Sequence, residues 1–234
     1  MQMRCLHCPT IDSMLAHDFP RDDSAPCADA TAFRFETHDV DSPGRAAVEA
    51  LIAAAYRRRY SAQPPEFAPV LVSLSNVREG PVAAAGYRPA RTGRLFLERY
   101  LARPIEDWLP AHEQAPIPRS AIVEVGHLAA MRAGEGRRLM YPLACHLAER
   151  GYSWVVSTVT RELRQVFLRL GITPLAISAA DPRALGDDRV HWGRYFEHQP
   201  VIVAGHLPLA IESLASARRP ADADARMRLH VEGP

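Results

Sequence analysis

Glu124 is the residue whose surroundings most favour chemistry. It lies in the apolar run AIVEVG at residues 121–126. An ionised carboxylate in such a strand costs several kcal/mol unless it is paired or protonated. Burial also raises the pKa of a carboxyl group toward the range of a general base. Glu124 is therefore predicted to be a catalytic base, and the alternative is a structural ion pair with an arginine.

Three further side chains are candidate catalytic residues. Glu98 lies in the run FLERY, where it either pairs with an arginine or faces the cleft. Tyr195 and His198 follow Trp192 on an irregular stretch, and such stretches often carry functional sites. The alternative for this stretch is a core tryptophan beside a surface histidine.

The alternation of side chains along two predicted strands indicates which of them can share a site. Strand alternation places Glu124 and His127 on opposite faces, so they meet only if the strand splays or bulges. Thr158 and Thr160 lie on one face of a later strand. Thr158 is a candidate cofactor-binding residue, whereas Thr160 also suits the cap of the next helix.

A glycine turn joins the central strand to the following helix. Free backbone N–H groups at such a helix start bind anions, and glycine lets a phosphate approach the backbone. Arg132, Gly134, Gly136 and Arg137 are the predicted cofactor-binding residues of this turn. Glu135 places negative charge beside a bound phosphate. The alternative is an ordinary glycine turn before a helix.

Composition excludes several kinds of chemistry and partner. All 28 basic residues are arginine, so lysine Schiff bases and P-loop lysines are excluded. A formal net charge of +1 gives no broad electrostatic field for nucleic acid, and no nucleic-acid partner is expected. Cys5 and Cys8 resemble half of a zinc site, but no second half with ligand spacing follows. No metal is predicted.

No stretch of the sequence indicates export or membrane insertion. The first residues contain no apolar run of about 7–15 residues, which a signal peptide needs. No run approaches the roughly 18 apolar residues that a membrane helix needs. We therefore expect a cytoplasmic protein without stable membrane insertion.

Apolar periodicity divides the chain into a flexible head (1–31), a folded domain (32–218) and a flexible tail (219–234). The domain reads as strand, helix and strands, then strand–helix–strand–helix–strand and a last helix over 208–218. Residues 94–100 are ambiguous between a strand and a short helix. This order predicts an α/β fold with a mixed central sheet flanked by helices on both faces.

Two motifs resemble those of the GNAT acyltransferases. Residues 131–136 (MRAGEG) resemble the turn Q/R-x-x-G-x-G/A that carries the coenzyme A pyrophosphate, with methionine at the polar first position. Residues 167–172 (FLRLGI) resemble the pattern Y-x-x-L-G-F, whose tyrosine often protonates the leaving thiolate. Phe167 stands at that position, so the usual general acid is missing.

Four segments resemble the thermostable hemolysin family, across about residues 70–206. They are 95–101 (LFLERYL), 124–129 (EVGHLA), 154–160 (WVVSTVT) and 192–198 (WGRYFEH). That family usually has asparagine where this chain has His127. The resemblance implies a GNAT-like fold and a likeness to acyl-homoserine lactone synthases, which also have a glutamate on the central strand.

Residues and resemblance together predict an acyltransferase-like enzyme that moves an acyl group from a thioester to a small amine. The expected donor is acyl-CoA or an acyl carrier protein thioester, which makes the carrier protein a candidate partner. One alternative is a synthase of the acyl-homoserine lactone type that uses S-adenosylmethionine. Another is a non-catalytic, membrane-active protein on the same scaffold.

Overall fold

The computed structural model describes residues 33–110 and 117–228, which form a seven-stranded sheet and four α-helices. The strands are β1 Phe33–His38, β2 Val70–Asn76, β3 Gly80–Pro89, β4 Ile122–Ala130, β5 Trp154–Val159, β6 Leu175–Ala179 and β7 Val201–His206. The helices are α1 Arg45–Tyr60, α2 Glu135–Glu149, α3 Arg161–Arg169 and α4 Leu207–Arg228.

The sheet is mixed, as the sequence predicts. Its strand order is β1-β2-β3-β4-β5-β7-β6, and every neighbouring pair is antiparallel except β4 and β5. A parallel pair needs a crossover connection, which α2 provides. The carboxyl ends of β4 and β5 therefore lie at the same edge of the sheet.

Helices cover both faces of the sheet, which confirms the predicted layers. Alternation along β2 sends Leu71 to the face under α1 and Val72 to the face under α2. The first face packs around Ile52 of α1, and the second packs around Leu139 of α2 and Leu214 of α4.

A β-bulge interrupts β4 near the centre of the sheet. Gly126 pairs with Gly86 and Ala129 pairs with Ala84, so β4 has one more residue than β3 between these pairs. His127 lies inside the bulge with a φ of 55°, a left-handed conformation that histidine tolerates better than most residues. The bulge therefore breaks the alternation that would place His127 on the far face.

β4 and β5 pair only along their first halves. The ladder joins residues 122–124 to residues 154–156 and ends there. One step further, Ser157 Oγ donates a hydrogen bond of 2.7 Å to the Val125 carbonyl oxygen. Beyond this bond the two strands part.

Most predicted elements are present, with two differences in the second half of the chain. The ambiguous residues 94–100 contain a short 3₁₀ helix at Phe96–Tyr100, which is one of the two predicted alternatives. The irregular stretch after β6 contains 3₁₀ turns at Pro182–Trp192 and Tyr195–His198. The last helix, α4, extends past the predicted end at residue 218 to Arg228.

Some predictions fall on segments outside the described residues. These segments are 1–32, 111–116 and 229–234, and they include the predicted head and the Cys5/Cys8 pair. The domain boundaries at 32 and 218 stay predictions. Along 33–110 and 117–228, every helix is too short or too polar to cross a membrane.

Gly193 anchors the segment after β6 to the end of α1. The Arg194 N–H donates a hydrogen bond of 2.7 Å to the Tyr60 carbonyl oxygen. Gly193 has φ 48° and ψ −121°, and a β-carbon there would lie 2.4 Å from the carbonyl oxygens of Tyr60 and Ser61. Glycine permits this close approach because it has no β-carbon.

Gly193→Ala should therefore destabilise the fold more than Gly186→Ala. Gly186 has a similar conformation, φ 57° and ψ −129°, but among the described residues only its chain neighbours lie within 4 Å of its would-be β-carbon. Gly186→Ala should cost about 1–3 kcal/mol from backbone strain. Gly193→Ala should cost roughly 1–3 kcal/mol more, because its methyl group overlaps backbone oxygens. Urea denaturation measures both, and equal losses would contradict the close approach.

Candidate active site

A pocket lies on the α1 face of the sheet where β4 and β5 part. Glu124, His127 and Thr158 contribute polar side chains from the two strands. Five aromatic side chains also line it: Tyr56, Phe96, Tyr100, Trp192 and Tyr195. The cavity volume is about 70 Å³, which accommodates a group of a few heavy atoms. Of the predicted site residues, the structure thus brings together Glu124, Thr158 and Tyr195.

Glu124 is buried, and backbone groups hold its carboxylate. The residue is 9% exposed. Its Oε2 accepts a hydrogen bond of 2.7 Å from the Phe96 N–H, and its Oε1 accepts one of 2.9 Å from the Leu97 N–H. Among the described residues, no arginine nitrogen lies within 4.0 Å of this carboxylate. Within residues 33–110 and 117–228, the ion pair that was the alternative for Glu124 is therefore absent.

The environment of Glu124 suits a general base. Burial raises its pKa to about 7, although the hydrogen bonds from Phe96 and Leu97 and the charge of Arg88 act in the opposite direction. The carboxyl group therefore exchanges its proton near neutral pH, where a general base is most effective. Burial also raises the pKa of the neighbouring Tyr100, so its hydroxyl stays protonated.

Glu98 does not line the pocket and is the ion-paired carboxylate of this region. Arg119 donates two hydrogen bonds to it, 2.7 Å to Oε1 and 2.8 Å to Oε2. The N–H groups of Leu95 and Ile105 donate to the same carboxylate. Burial alone would raise the pKa of Glu98, but Arg119 and these N–H groups lower it overall. Glu98 is thus placed to fix a turn rather than to accept a proton from a substrate.

Tyr195 lines the pocket within a cluster of rings. Its ring stacks on Tyr56 at an interplanar angle of 15° and lies 5.3 Å from the Trp192 ring. Its hydroxyl donates its one proton to the Thr158 carbonyl oxygen at 3.2 Å. Burial raises the pKa of Tyr195 well above its usual value. The geometry makes Tyr195 a wall of the site whose proton is already engaged.

His198 does not reach this pocket. Its Nδ1 lies 3.0 Å from Glu162 Oε1, and its ring packs edge-on against Tyr60. Burial is the largest single effect on Glu162 and would raise its pKa, but the hydrogen bonds with His198, with Thr160 and with its own backbone together lower the pKa to about 2. The structure therefore places His198 apart from Glu124, beside the start of α3, and its catalytic role stays a prediction.

His127 is a pocket residue that strand alternation alone excludes. The bulge brings its ring to 6.2 Å from the Tyr56 ring and 5.7 Å from the Phe67 ring. Burial lowers its pKa to about 4, although a hydrogen bond with the Glu66 backbone raises it. The imidazole is therefore neutral at physiological pH. Gly126 is the signal in the sequence, since glycine inside a strand often marks a bulge.

A carboxylate, that of Glu135, lies at the glycine turn where α2 begins. Gly134, with a φ of 94°, precedes the helix, and Glu135 Oε2 accepts a hydrogen bond of 2.8 Å from the Arg132 N–H. The Arg132 side chain pairs with Glu79 at 2.8 Å. The Arg137 guanidinium lies over the turn, 3.9 Å from the place of a β-carbon at Gly134. Arg137 thus lies beside the turn, whereas the Arg132 side chain is engaged with carboxylates.

The two buried glutamates should change stability with opposite pH dependence. The pKa of Glu98 is lowered in the folded protein, so its stabilisation is present above the ordinary value of 4.5 and is lost as pH falls through the folded pKa. The pKa of Glu124 is raised to about 7, so its contribution is present below 4.5 and is lost as pH rises through 7. That rise corresponds to about 3 kcal/mol.

Urea denaturation of the wild type, Glu98→Gln and Glu124→Gln from about pH 2 to 8 measures these contributions. The wild type should have a higher free energy of unfolding than Glu98→Gln at neutral pH, and this difference should shrink toward low pH. The free energy of unfolding of the wild type relative to Glu124→Gln should fall toward high pH. At neutral pH, Glu98→Gln should cost about 3–5 kcal/mol, because Arg119 loses a buried partner. Slopes of the same sign for both variants would contradict the two environments.

Comparison with solved structures finds the same fold in TofI and in two acyl-homoserine lactone synthases. TofI in an apo form has a TM-score of 0.53 at 14% identity, covering 78% of this chain and 96% of that chain. The AHL synthase LasI has a TM-score of 0.51 at 11% identity, covering 76% and 91%. The CoA-dependent synthase BjaI, solved with SAM and isopentyl-CoA, has a TM-score of 0.51 at 10% identity, covering 79% and 89%. The predicted GNAT-like α/β fold is confirmed.

Sequence comparison places the chain in a family. A comparison with curated proteins found no match. The profile of the thermostable hemolysin family matches residues 38–211, which is more than half of the chain. This range includes all four segments that carry the resemblance in the sequence. The chain belongs to the thermostable hemolysin family.

Proposed function

We propose that the protein transfers an acyl group from a thioester, on coenzyme A or an acyl carrier protein, to a small amine. The observation that carries the proposal is the position of Glu124, a buried carboxyl group with a pKa near 7 beside the opening between β4 and β5. The fold shared with BjaI, whose structure contains SAM and isopentyl-CoA, supports a thioester donor.

Glu124 is the base in the proposed reaction. The amine nitrogen attacks the thioester carbonyl carbon, a C–N bond forms and the C–S bond breaks. Formation of the C–N bond makes the N–H acidic, and Glu124 accepts that proton. A thiol such as that of cysteine has a pKa of about 8.5. The leaving thiolate therefore accepts the proton from the Glu124 carboxylic acid, whose pKa is near 7. Glu124 thereby supplies the leaving-group proton in a chain that has Phe167 where a tyrosine acid is usual.

The donor would lie in the opening between the strands. The described ladder between β4 and β5 ends at residue 124, and the amide groups of a pantetheine arm can pair with strand edges as an added strand does. The donor phosphates would then lie at the glycine turn, near the first N–H groups of α2 and Arg137. Gly136 keeps the backbone accessible at this turn.

Glu124→Gln should lower turnover strongly. Turnover is measured as release of free thiol from acyl-CoA with a panel of small amines, and with S-adenosylmethionine as the alternative substrate. The variant should lower kcat/KM by ~10²–10⁴-fold, because the amide accepts no proton. The wild-type kcat/KM should rise with pH through about 7, since the base acts when deprotonated. The amide also turns an NH₂ group toward a backbone N–H, which should cost about 1–3 kcal/mol of stability.

Glu162→Gln and His198→Gln are the control variants, since this pair lies outside the pocket. Both should retain wild-type turnover. A folded Glu124→Gln protein with normal turnover would refute the proposal. Loss of turnover in His198→Gln at unchanged melting temperature would show that the site extends to His198.

Glu135→Gln should tighten the binding of acyl-CoA. Its carboxylate lies at the turn where the phosphates are placed, and a like charge a few ångströms away costs about 1 kcal/mol or more. The amide keeps an acceptor oxygen for the Arg132 N–H. The Kd for acetyl-CoA, measured by calorimetry, should fall by about fivefold. S-Acetylpantetheine lacks the phosphates, so its Kd should not change, and an equal change for both ligands would contradict this placement.

A further inference from the structure

Three polar atoms of the candidate active site have no hydrogen-bond partner among the described residues. They are His127 Nδ1, Thr158 Oγ1 and Trp192 Nε1, and all three are shielded from solvent. Each belongs to a residue that lines the pocket with Glu124. A buried polar group without a partner costs about 1–3 kcal/mol. Three of them around one cavity point to a ligand that pairs with them.

The donor and acceptor properties of these three atoms restrict which ligand can pair with them. A tryptophan Nε1–H only donates, so Trp192 needs an accepting atom on the ligand. A hydrogen bond with the Glu66 backbone favours the protonated form of the His127 ring. In the neutral ring with its proton on Nε2, Nδ1 is an acceptor. The Thr158 hydroxyl both donates and accepts. An ammonium group alone offers only donors and would leave the Trp192 N–H unpaired.

The charges around the pocket favour a cationic ligand that carries no carboxylate. Arg88 and Glu66 line the pocket and pair with each other at 3.1 Å, so their charges offset. Glu124 then supplies the remaining negative charge. Aromatic rings attract cations held within about 6 Å of the ring centre, and five such rings line this pocket. A ligand carboxylate would share a poorly solvated space with Glu124 and repel it.

We propose that the acyl acceptor is a small primary ammonium compound with a neutral oxygen acceptor, of the amino alcohol class, bound by Glu124, His127, Thr158 and Trp192. The nitrogen donates to Glu124 and to His127 Nδ1, and the ligand oxygen accepts from the Trp192 N–H and bonds the Thr158 hydroxyl. The ammonium releases one proton to solvent before it attacks the thioester, and Glu124 accepts the second proton as the C–N bond forms. The cavity of about 70 Å³ accommodates a molecule of a few heavy atoms. This inference rests on the proposed function, because it names the acceptor class for the same site.

Four small molecules test the parts of the inference separately. Ethanolamine has both groups, ethylamine lacks the oxygen, glycine adds a carboxylate and ethylene glycol lacks the cation. Binding to the wild-type protein is followed by NMR of the Trp192 indole N–H, which Trp192→Phe identifies. Ethanolamine should bind about fivefold or more tightly than ethylamine and glycine, and ethylene glycol should not bind. Equal binding of glycine or ethylene glycol, or no binding of ethanolamine, would overturn the inference.

Thr158→Val is the matched variant, because it removes a hydroxyl that has no partner within the described protein. It should keep or raise the melting temperature and weaken ethanolamine binding by about 5–10-fold. Ser157→Ala is the control, because this neighbouring hydroxyl donates to the Val125 carbonyl. It should lower the melting temperature and leave the ethanolamine affinity unchanged. Unchanged affinity in Thr158→Val would also overturn the inference.

Failure of this inference is distinguishable from failure of the proposed function. Ethanolamine binding with the predicted selectivity, but no thiol release from any thioester, would support the acceptor site and refute acyl transfer. Thiol release that depends on Glu124 but is not competed by ethanolamine would support acyl transfer and refute the acceptor class.

Discussion

The turn at Phe96–Tyr100 determines whether Glu124 can be a buried base. Two N–H groups near its start bind the Glu124 carboxylate, and Glu98 closes the same turn by accepting from the Leu95 N–H. Arg119 binds Glu98 and so stabilises the turn from its other side. The guanidinium charge therefore fixes the backbone without contacting Glu124. A direct arginine pair would have lowered the Glu124 pKa, whereas neutral donors leave it near 7.

β4 departs from a regular strand at two places, and both lie at the pocket. Its pairing with β5 ends at Glu124, and the Ser157–Val125 hydrogen bond marks where the strands part. The bulge at His127 then brings a second polar side chain to the same face. A regular, fully paired β4 would close the opening and point His127 away. The irregularities of this strand thus create the site, which is a common use of β-bulges.

The sequence predicts the architecture well because apolar periodicity and glycine and proline signals are local. It separates Glu98 from Glu124 poorly, since each lies in an apolar run and the difference comes from Arg119, which is distant in sequence from Glu98. Tyr56 has helical core spacing, and nothing local indicates that it borders a cavity. Tyr195 and His198 are neighbours in sequence, but their 3₁₀ turn sends only Tyr195 to the pocket. Contacts between distant segments decide these cases, and a single sequence does not contain them.

Several polar groups that line the pocket lower the stability of the folded protein. The ionised form of Glu124 costs about 3 kcal/mol by its pKa, and each unpaired polar atom costs about 1–3 kcal/mol. Domains of this kind have a total stability of about 5–15 kcal/mol, so these costs are a large fraction of it. Glu98 and Arg119 have the opposite character, since every donor and acceptor there is used to hold the turn. Removing an unpaired polar atom such as Thr158 Oγ1 should therefore leave stability unchanged or raise it, whereas removing Glu98 or Arg119 should lower it. Stability measured residue by residue around β4 and β5 would thus outline the binding surface independently of any assay for the reaction.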